Sequence, residues 1–349
     1  LVDTHEVSDD GLLNTLHLHQ GVLFHNGDEF VAADARASIE RWAELVGFGQ
    51  QLMEQVSEIR EIDDYTLEFE MTEPFGTFAV LLARQNNGCA IYPRSIVEEA
   101  GTGPISELIG TGPYRLVEHQ PDVQILLERF EDFVPREDEP NGYAGRKYAY
   151  ADQLRFIPVP DEAARIAGLQ SGEYHFLQNV STDHYETLDA DQQVTVELAA
   201  PTETSICLFN TAHGLLTNRT LRRAIQTAVH GEGFYRANPS HMPEETVWFT
   251  TTGEARYNVA DPDAAQELLD EAGYDGSTVR IITTQEYLHQ YNQAVVLQQQ
   301  LEDIGMTVDV QVYDWSTLLE TRGDEGSWEI ATSGRTFRVD PSQLPPEEL

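Results

Sequence analysis

The sequence predicts an α/β protein built from more than one domain. Strand-like and helix-like segments alternate at residues 154–177 and again at 279–313. Each alternation favours parallel strands joined by a right-handed crossover. Length is the third observation: 349 residues suggest two to three domains of roughly 100–200 residues each. Hydrophobic residues make up 40% of the chain, enough to build real cores rather than a disordered coil.

Taken in chain order, residues 12–18 alternate apolar and polar side chains and read as a strand. Residues 32–45 follow as a helix, with Ile39, Trp42 and Val46 on one stripe. Residues 59–69 alternate around Asp63-Asp64 and read as a hairpin. Residues 74–83 open with proline and run apolar, a further helix. Residues 1–108 therefore read as one small α+β domain.

Gly110-Thr111-Gly112-Pro113-Tyr114 opens the next part. Its glycines supply backbone angles that other residues avoid, and Pro113 fixes the entry into a strand. Residues 114–119 and 123–129 alternate on either side of Gln120-Pro121-Asp122, which is turn chemistry, so they form a hairpin. Residues 133–149 hold many charges, Pro135, Pro140, Gly142 and Gly145, without any period, and read as a loop. Residues 154–158 are a short strand. Asp161 caps a helix over 162–171, Gly172 stops it, and residues 174–177 resume as strand. The second domain is placed at 109–203.

The last domain is placed at 204–349, with the two lobes dividing near Glu203. It begins with β-rich residues 204–209. Asn218 or Thr217 caps a helix over 221–229. Asp261-Pro262 starts a helix that Gly273 stops, with Ala264, Ala265, Leu268, Leu269 and Ala272 on one face. Residues 279–283 form a strand, and residues 291–304 a helix stopped by Gly305. Met306, Val308, Val310 and Val312 then alternate with polar neighbours, which makes a second parallel unit. Trp315 opens one more helix as a core residue.

Charge is the other strong signal. Sixty acidic residues face 21 basic ones, a formal net charge of −39, and Lys147 is the only lysine. The acids are spread along the chain, which favours a solvated surface over a patch for a cationic partner. A surface of this sign repels phosphates, so nucleic acid is excluded as a partner. No apolar run approaches the roughly 20 residues that span a bilayer. Cys89 and Cys207 both sit in apolar settings and read as buried free thiols, not as a disulfide framework.

Motifs of catalysis are missing: there is no Gly-x-Ser-x-Gly, phosphate loop, paired Cys-x-x-Cys or His-Glu-x-x-His. The chain is read as a non-enzyme without a cofactor. His17 and His19 have a spacing that can chelate, but no third ligand is near, so they read as a solvated strand face and no metal is assigned. Asn179-Val180-Ser181 and Asn218-Arg219-Thr220 match the glycosylation acceptor, the second being better explained as a helix cap.

Several blocks fall in a fixed order. They are Gly21-Val22-Leu23-Phe24-His25-Asn26-Gly27-Asp28-Glu29-Phe30, Gly110 to Tyr114, Pro160-Asp161-Glu162-Ala163-Ala164-Arg165 with Leu169-Gln170-Ser171-Gly172-Glu173, Phe209-Asn210-Thr211, Leu221-Arg222-Arg223-Ala224-Ile225, and Asp261-Pro262 to Gly273-Tyr274. Over nearly the whole chain they resemble the family 5 extracellular solute-binding proteins, the binding subunits of ABC importers for peptides, nickel complexes and some oligosaccharides. The resemblance implies a class II Venus-flytrap fold, periplasmic-binding-protein-like, with an extra small α+β domain. It also implies a monomer outside the cell, anchored at the cell surface in its full-length form. Its partners would be a small solute (peptide, sugar or anion) and ABC permease subunits. A sensor subunit without transport and a hydrolase are the rival readings. Both ends look trimmed against the family, the start lying before its second domain and the end inside its third. Acid enrichment with lysine depletion resembles proteins of extreme halophiles and points to a halophilic archaeon.

The resemblance also places the site. The family's cleft is lined by the segment before an Asp-Pro motif, here Ser333-Gly334-Arg335-Thr336-Phe337-Arg338-Val339-Asp340-Pro341. Peptide binders place there an acid that pairs with the peptide amine, and in that register Phe337 takes its place. Arg335 and Arg338 either hold an anion or face the acidic surface. Gln285 and Tyr287 follow the strand at 279–283, where loops at strand ends face a cleft. Asn210 either touches ligand or fixes the crossover. The expected ligand residues are thus Asn210, Gln285, Tyr287, Arg335, Thr336, Phe337 and Arg338.

Overall fold

The computed structural model describes residues 1–84, 86–141, 144–198, 203–230, 239–338 and 340–341. The chain divides into two compact units, Leu1–Glu197 and Leu198–Leu349.

The first unit opens with strands β1 (Val2–Val7) and β2 (Leu13–Leu18), helices α1 (Ala32–Leu45) and α2 (Gly47–Met53), and strands β3 (Val56–Asp63) and β4 (Thr66–Met71). The strands form an antiparallel sheet in the order β1-β2-β4-β3. Leu16, Leu18, Leu67 and Phe69 project from one face of that sheet onto Ile39 and Trp42 of α1, so the predicted stripe is the buried one. Asp34 joins two helices: its carboxylate accepts from the Val31 amide at 3.0 Å and from the Arg94 amide at 2.7 Å. Helix α3 (Phe78–Leu82) is shorter than the expected 74–83, because the chain turns through Gly76-Thr77 before Phe78 enters the core. Helix α4 (Arg94–Ala100) completes this part. His17 lies 3.8 Å from Glu6, and His19 lies 2.8 Å from Asp3, across the β1–β2 pair.

His25 ties this part to the glycine-rich turn. Its Nδ1 accepts from the Gly110 amide at 3.2 Å, and its Nε2 lies 3.0 Å from the Gly112 carbonyl. An amide can only donate and a carbonyl can only accept, so the ring is the neutral Nε2–H tautomer. Strands β5 (Tyr114–Gln120), β6 (Gln124–Arg129) and β7 (Gln153–Phe156) then form an antiparallel sheet. Helix α5 (Glu162–Ser171) carries both predicted caps: Asp161 accepts from the Ala164 amide, and Gly172 is left-handed at φ 79°. A short helix, α6 (Tyr185–Asp189), follows.

The parallel crossover expected across residues 154–177 does not form. Residues 174–177 are not a strand. The Tyr174 amide bonds back to the Gly168 carbonyl at 3.1 Å, and its ring fills the space a Cβ at Gly168 would need. The segment is thereby turned onto α5 instead of along β7.

The second unit holds β8 (Glu203–Phe209), α7 (Arg219–Ala228), α8 (Pro262–Ala272), β9 (Val279–Thr284), α9 (Leu288–Asp303), β10 (Val308–Tyr313), α10 (Trp315–Gly323) and β11 (Ile330–Thr336). Its sheet runs β10-β9-β11-β8. Strands β9 and β10 are parallel, as the alternating pattern predicts, with Ile281 beside Val310. Strand β11 is parallel to β9 and antiparallel to β8. Ile281 and Ile330 face a core built with α7, α8 and α9; Ile282 and Ala331 face Leu318 and Trp328 on the other side. Asn218 caps α7 through the Thr220 amide and donates to the Ala272 carbonyl, which fixes α7 against the end of α8.

Candidate functional site

Strands β9, β10 and β11 point the same way, so their carboxyl ends share one edge of the sheet. In open α/β sheets that edge is where ligands bind. The composition of the strands changes there. Val279, Ile281, Ile282 and Ile330 are apolar and fully buried, and then the chain turns to hydroxyls: Thr283, Thr284 and Thr332 are all at most 1% exposed, and Ser333 is buried beside them. The Thr332 hydroxyl bonds to that of Thr283 at 2.7 Å. This switch from apolar to hydroxyl side chains is visible in the sequence, and none of these four residues is among the expected ligand residues.

Six of the seven expected site residues fall at this edge. Gln285 and Tyr287 are exposed on the loop after β9. Tyr287 makes an edge contact with Trp315, ring centroids 5.1 Å apart, and the Trp315 amide donates to Glu286 at 2.9 Å. Trp315 is therefore only part-buried and borders the site. Asp314 caps α10: the Thr317 hydroxyl and amide at 2.6 and 3.0 Å hold its carboxyl below the usual range. Arg335 is 8% exposed, with its guanidinium 3.4 Å from His241 Nδ1. Thr336 is exposed and accepts from Arg338 Nη1 at 2.6 Å. Phe337 is half-buried, and Val339 lies outside the described residues.

Asn210 is the exception. It follows the carboxyl end of β8, which runs against β11, so its amide pairs with Glu329 at the opposite edge of the sheet. Six residue steps along the chain separate Glu329 from Arg335, about 20 Å at the usual strand rise. Its side chain is also fully engaged. Nδ2 donates to the Glu325 and Trp328 carbonyls at 2.6 and 3.1 Å, and Oδ1 accepts from the Ala212 and His213 amides at 3.2 and 3.0 Å. Asn210 fixes the loops at that edge, which favours the structural one of its two expected roles. The alternation of strands cannot reveal which edge a residue reaches when the strand's direction is unknown.

Near Asn210 lies an ion pair whose carboxylate is buried. Glu329, 3% exposed, accepts from Arg280 Nε at 2.9 Å, Nη2 at 2.7 Å and the Arg280 amide at 2.8 Å. No group of three or more metal-ligating side chains occurs among the described residues.

The same architecture recurs in known proteins. A Helicobacter pylori ABC transporter-associated periplasmic binding protein, solved with the peptide STSA, superposes with a TM-score of 0.80 at 25% identity, covering 98% of this chain and 70% of that one. A probable peptide ABC transporter periplasmic-binding protein of Sinorhizobium fredii is 29% identical over 348 residues, 93% of this chain and 65% of that protein. The glutathione-binding protein of Pectobacterium atrosepticum is 26% identical over 328 residues, 90% of this chain and 60% of that protein. The chain thus spans about three-fifths to two-thirds of the length of these curated relatives. These are binding proteins, not enzymes. Residues 1–345 match the model of the bacterial extracellular solute-binding proteins, family 5 middle, and the chain belongs to that family.

Proposed function

We propose that this chain captures a small solute outside the cell and delivers it to an ABC-type permease, with the carboxyl edge of β9, β10 and β11 as one wall of the site. The reading rests on family membership together with the gathering of Gln285, Tyr287, Arg335, Thr336, Phe337 and Arg338 at that edge. The protein acts as a monomer.

The ligand class is read from the register that the family resemblance implies, in which Phe337, four residues before Pro341, takes the place of the peptide binders' acid. An ammonium brought to a phenyl ring loses water and gains only cation–π attraction, a poor exchange in a closed site. The buried Arg335 guanidinium, near the end of β11 and two residues before Phe337, suits an anion instead, and a flat ring suits a sugar face. The solute is therefore an anion or a hydroxyl-rich molecule. The peptides bound by relatives make a free-amine peptide the rival ligand. Competition calorimetry of dipeptides against oligosaccharides and carboxylates, on wild type, Phe337→Ala and Asp340→Ala, separates the two. Dipeptide binding that survives Phe337→Ala and vanishes in Asp340→Ala would overturn both register and ligand class.

A further inference from the structure

The two N-x-Ser/Thr acceptor sequences, Asn179-Val180-Ser181 and Asn218-Arg219-Thr220, have very different surroundings. Asn179 is exposed, as are Gln178 and Phe176, the latter to 79%. It lies outside every helix and strand, in the stretch between α5 and α6. Its backbone is left-handed at φ 56°, a conformation asparagine tolerates better than most residues. Among the described residues its side-chain amide makes no hydrogen bond.

The loop that presents Asn179 is nonetheless held. The Ser181 amide donates to Glu162 Oε1, at the start of α5, at 2.7 Å. The Ser181 hydroxyl accepts from the Asp183 amide at 3.3 Å and caps the single turn Thr182–His184. That bond uses an oxygen lone pair and leaves the Ser181 O–H to donate. The acceptor amide thus stands in solvent in the folded chain, beside the hydroxyl of its own motif, and no core has to open for a modifying enzyme to reach it.

Asn218 is the internal contrast. Its Oδ1 accepts from the Thr220 amide at 2.9 Å, and its Nδ2 donates to the Ala272 carbonyl at 3.3 Å. Arg219 and Thr220 are already in the first turn of α7. A sugar bonded to that Nδ2 would crowd the contact that holds α7 against the end of α8.

We infer that Asn179 is an N-glycosylation site and that Asn218 is not. The donor is an oligosaccharide activated on a lipid phosphate. Asn179 Nδ2 bonds to the anomeric carbon of the first sugar, and the bond from that carbon to the phosphate oxygen breaks. The phosphate leaves with the electron pair, and the amide gives up one proton. The inference rests on the reading of this chain as a protein that works outside the cell, where such transfer acts.

The test is mass spectrometry of the protein recovered from the surface of the cells that produce it. Cleavage after glutamate gives residues 174–186, which hold Asn179, and residues 204–232, which hold Asn218. The first peptide should carry the mass of one or more sugars, with fragment ions placing them on Asn179, and the second should carry none. Asn179→Asp, which keeps a residue tolerant of the left-handed backbone, should lose the added mass. Ser181→Ala should lose it too, Ser181→Thr should keep it, and Asn218→Asp should leave it unchanged. An unmodified 174–186 peptide from protein found outside the cell overturns this inference and leaves solute capture standing. Sugar on 204–232, alone or together with 174–186, overturns the selection made from burial and hydrogen bonding. A chain found only inside the cell removes the extracellular reading, and this inference with it.

Discussion

Replacing Glu329 by alanine should cost the second unit about 3 kcal/mol of stability. Glu329 is buried, and its two oxygens take three hydrogen bonds from Arg280, one of them from the backbone amide. Deleting one partner of a buried pair typically costs about 3–5 kcal/mol. Arg280 keeps 32% of its side chain exposed, so part of its charge is rehydrated, and the figure belongs at the lower end. The amide of Arg280 is less fortunate: losing its acceptor inside the sheet alone costs about 1–3 kcal/mol. For a unit of this size, about 3 kcal/mol lowers the melting temperature by roughly 6–12 °C. Glu329→Gln should cost about half as much, because it keeps an acceptor for the Arg280 amide while removing the charge. Calorimetric melts of wild type and both variants measure this. Repeating them at molar salt is the internal control, since a buried pair is screened far less than an exposed one. A loss under about 1 kcal/mol in the alanine variant, or one abolished by salt, would refute the reasoning.

Further outcomes follow from charge, burial and geometry. A formal charge of −39 should make folding salt-dependent, so the melting temperature should climb from 0.1 M to molar sodium chloride as the screening length falls from about 10 to 3 Å; a flat profile would reject the halophilic reading. Burial pushes the thiols of Cys89 and Cys207 up to about 12, so a thiol reagent at pH 8 should label neither in the folded chain and both in urea. Because their folded pKa lies above the unfolded one, they leave stability intact below about pH 8.5 and erode it as pH rises toward 12. Asn210→Ala should lower stability by about 2 kcal/mol, by orphaning the carbonyls of Glu325 and Trp328, yet leave solute affinity unchanged.

Elements whose signals are local were legible from sequence. The stripe of α1, the Asp161 and Gly172 caps of α5 and the Asp261-Pro262 start of α8 all depend on side chains within a turn or two of one another. The parallel β9–β10 pair was legible because its helix is long enough to require a crossover. What failed depended on distant partners. Residues 174–177 have strand-like composition, but a tyrosine ring seated on Gly168 decides their path. Strand β1 was missed because five of its six residues are exposed, leaving no buried face for alternation to mark. The site was legible as far as strand ends were concerned. Which of its two roles Asn210 takes could not be read from sequence, because the choice depends on β8 running opposite to its neighbour.

Direct calorimetric titration of the purified protein with a panel of free-amine dipeptides, neutral and acidic sugars and small carboxylates tests the central claim most directly. Capture at the carboxyl edge of β9, β10 and β11 predicts a one-to-one isotherm with a hydroxylated or anionic member, abolished or strongly weakened by Arg335→Ala with Phe337→Ala. Tight binding of a free-amine dipeptide that ignores both substitutions would contradict the account.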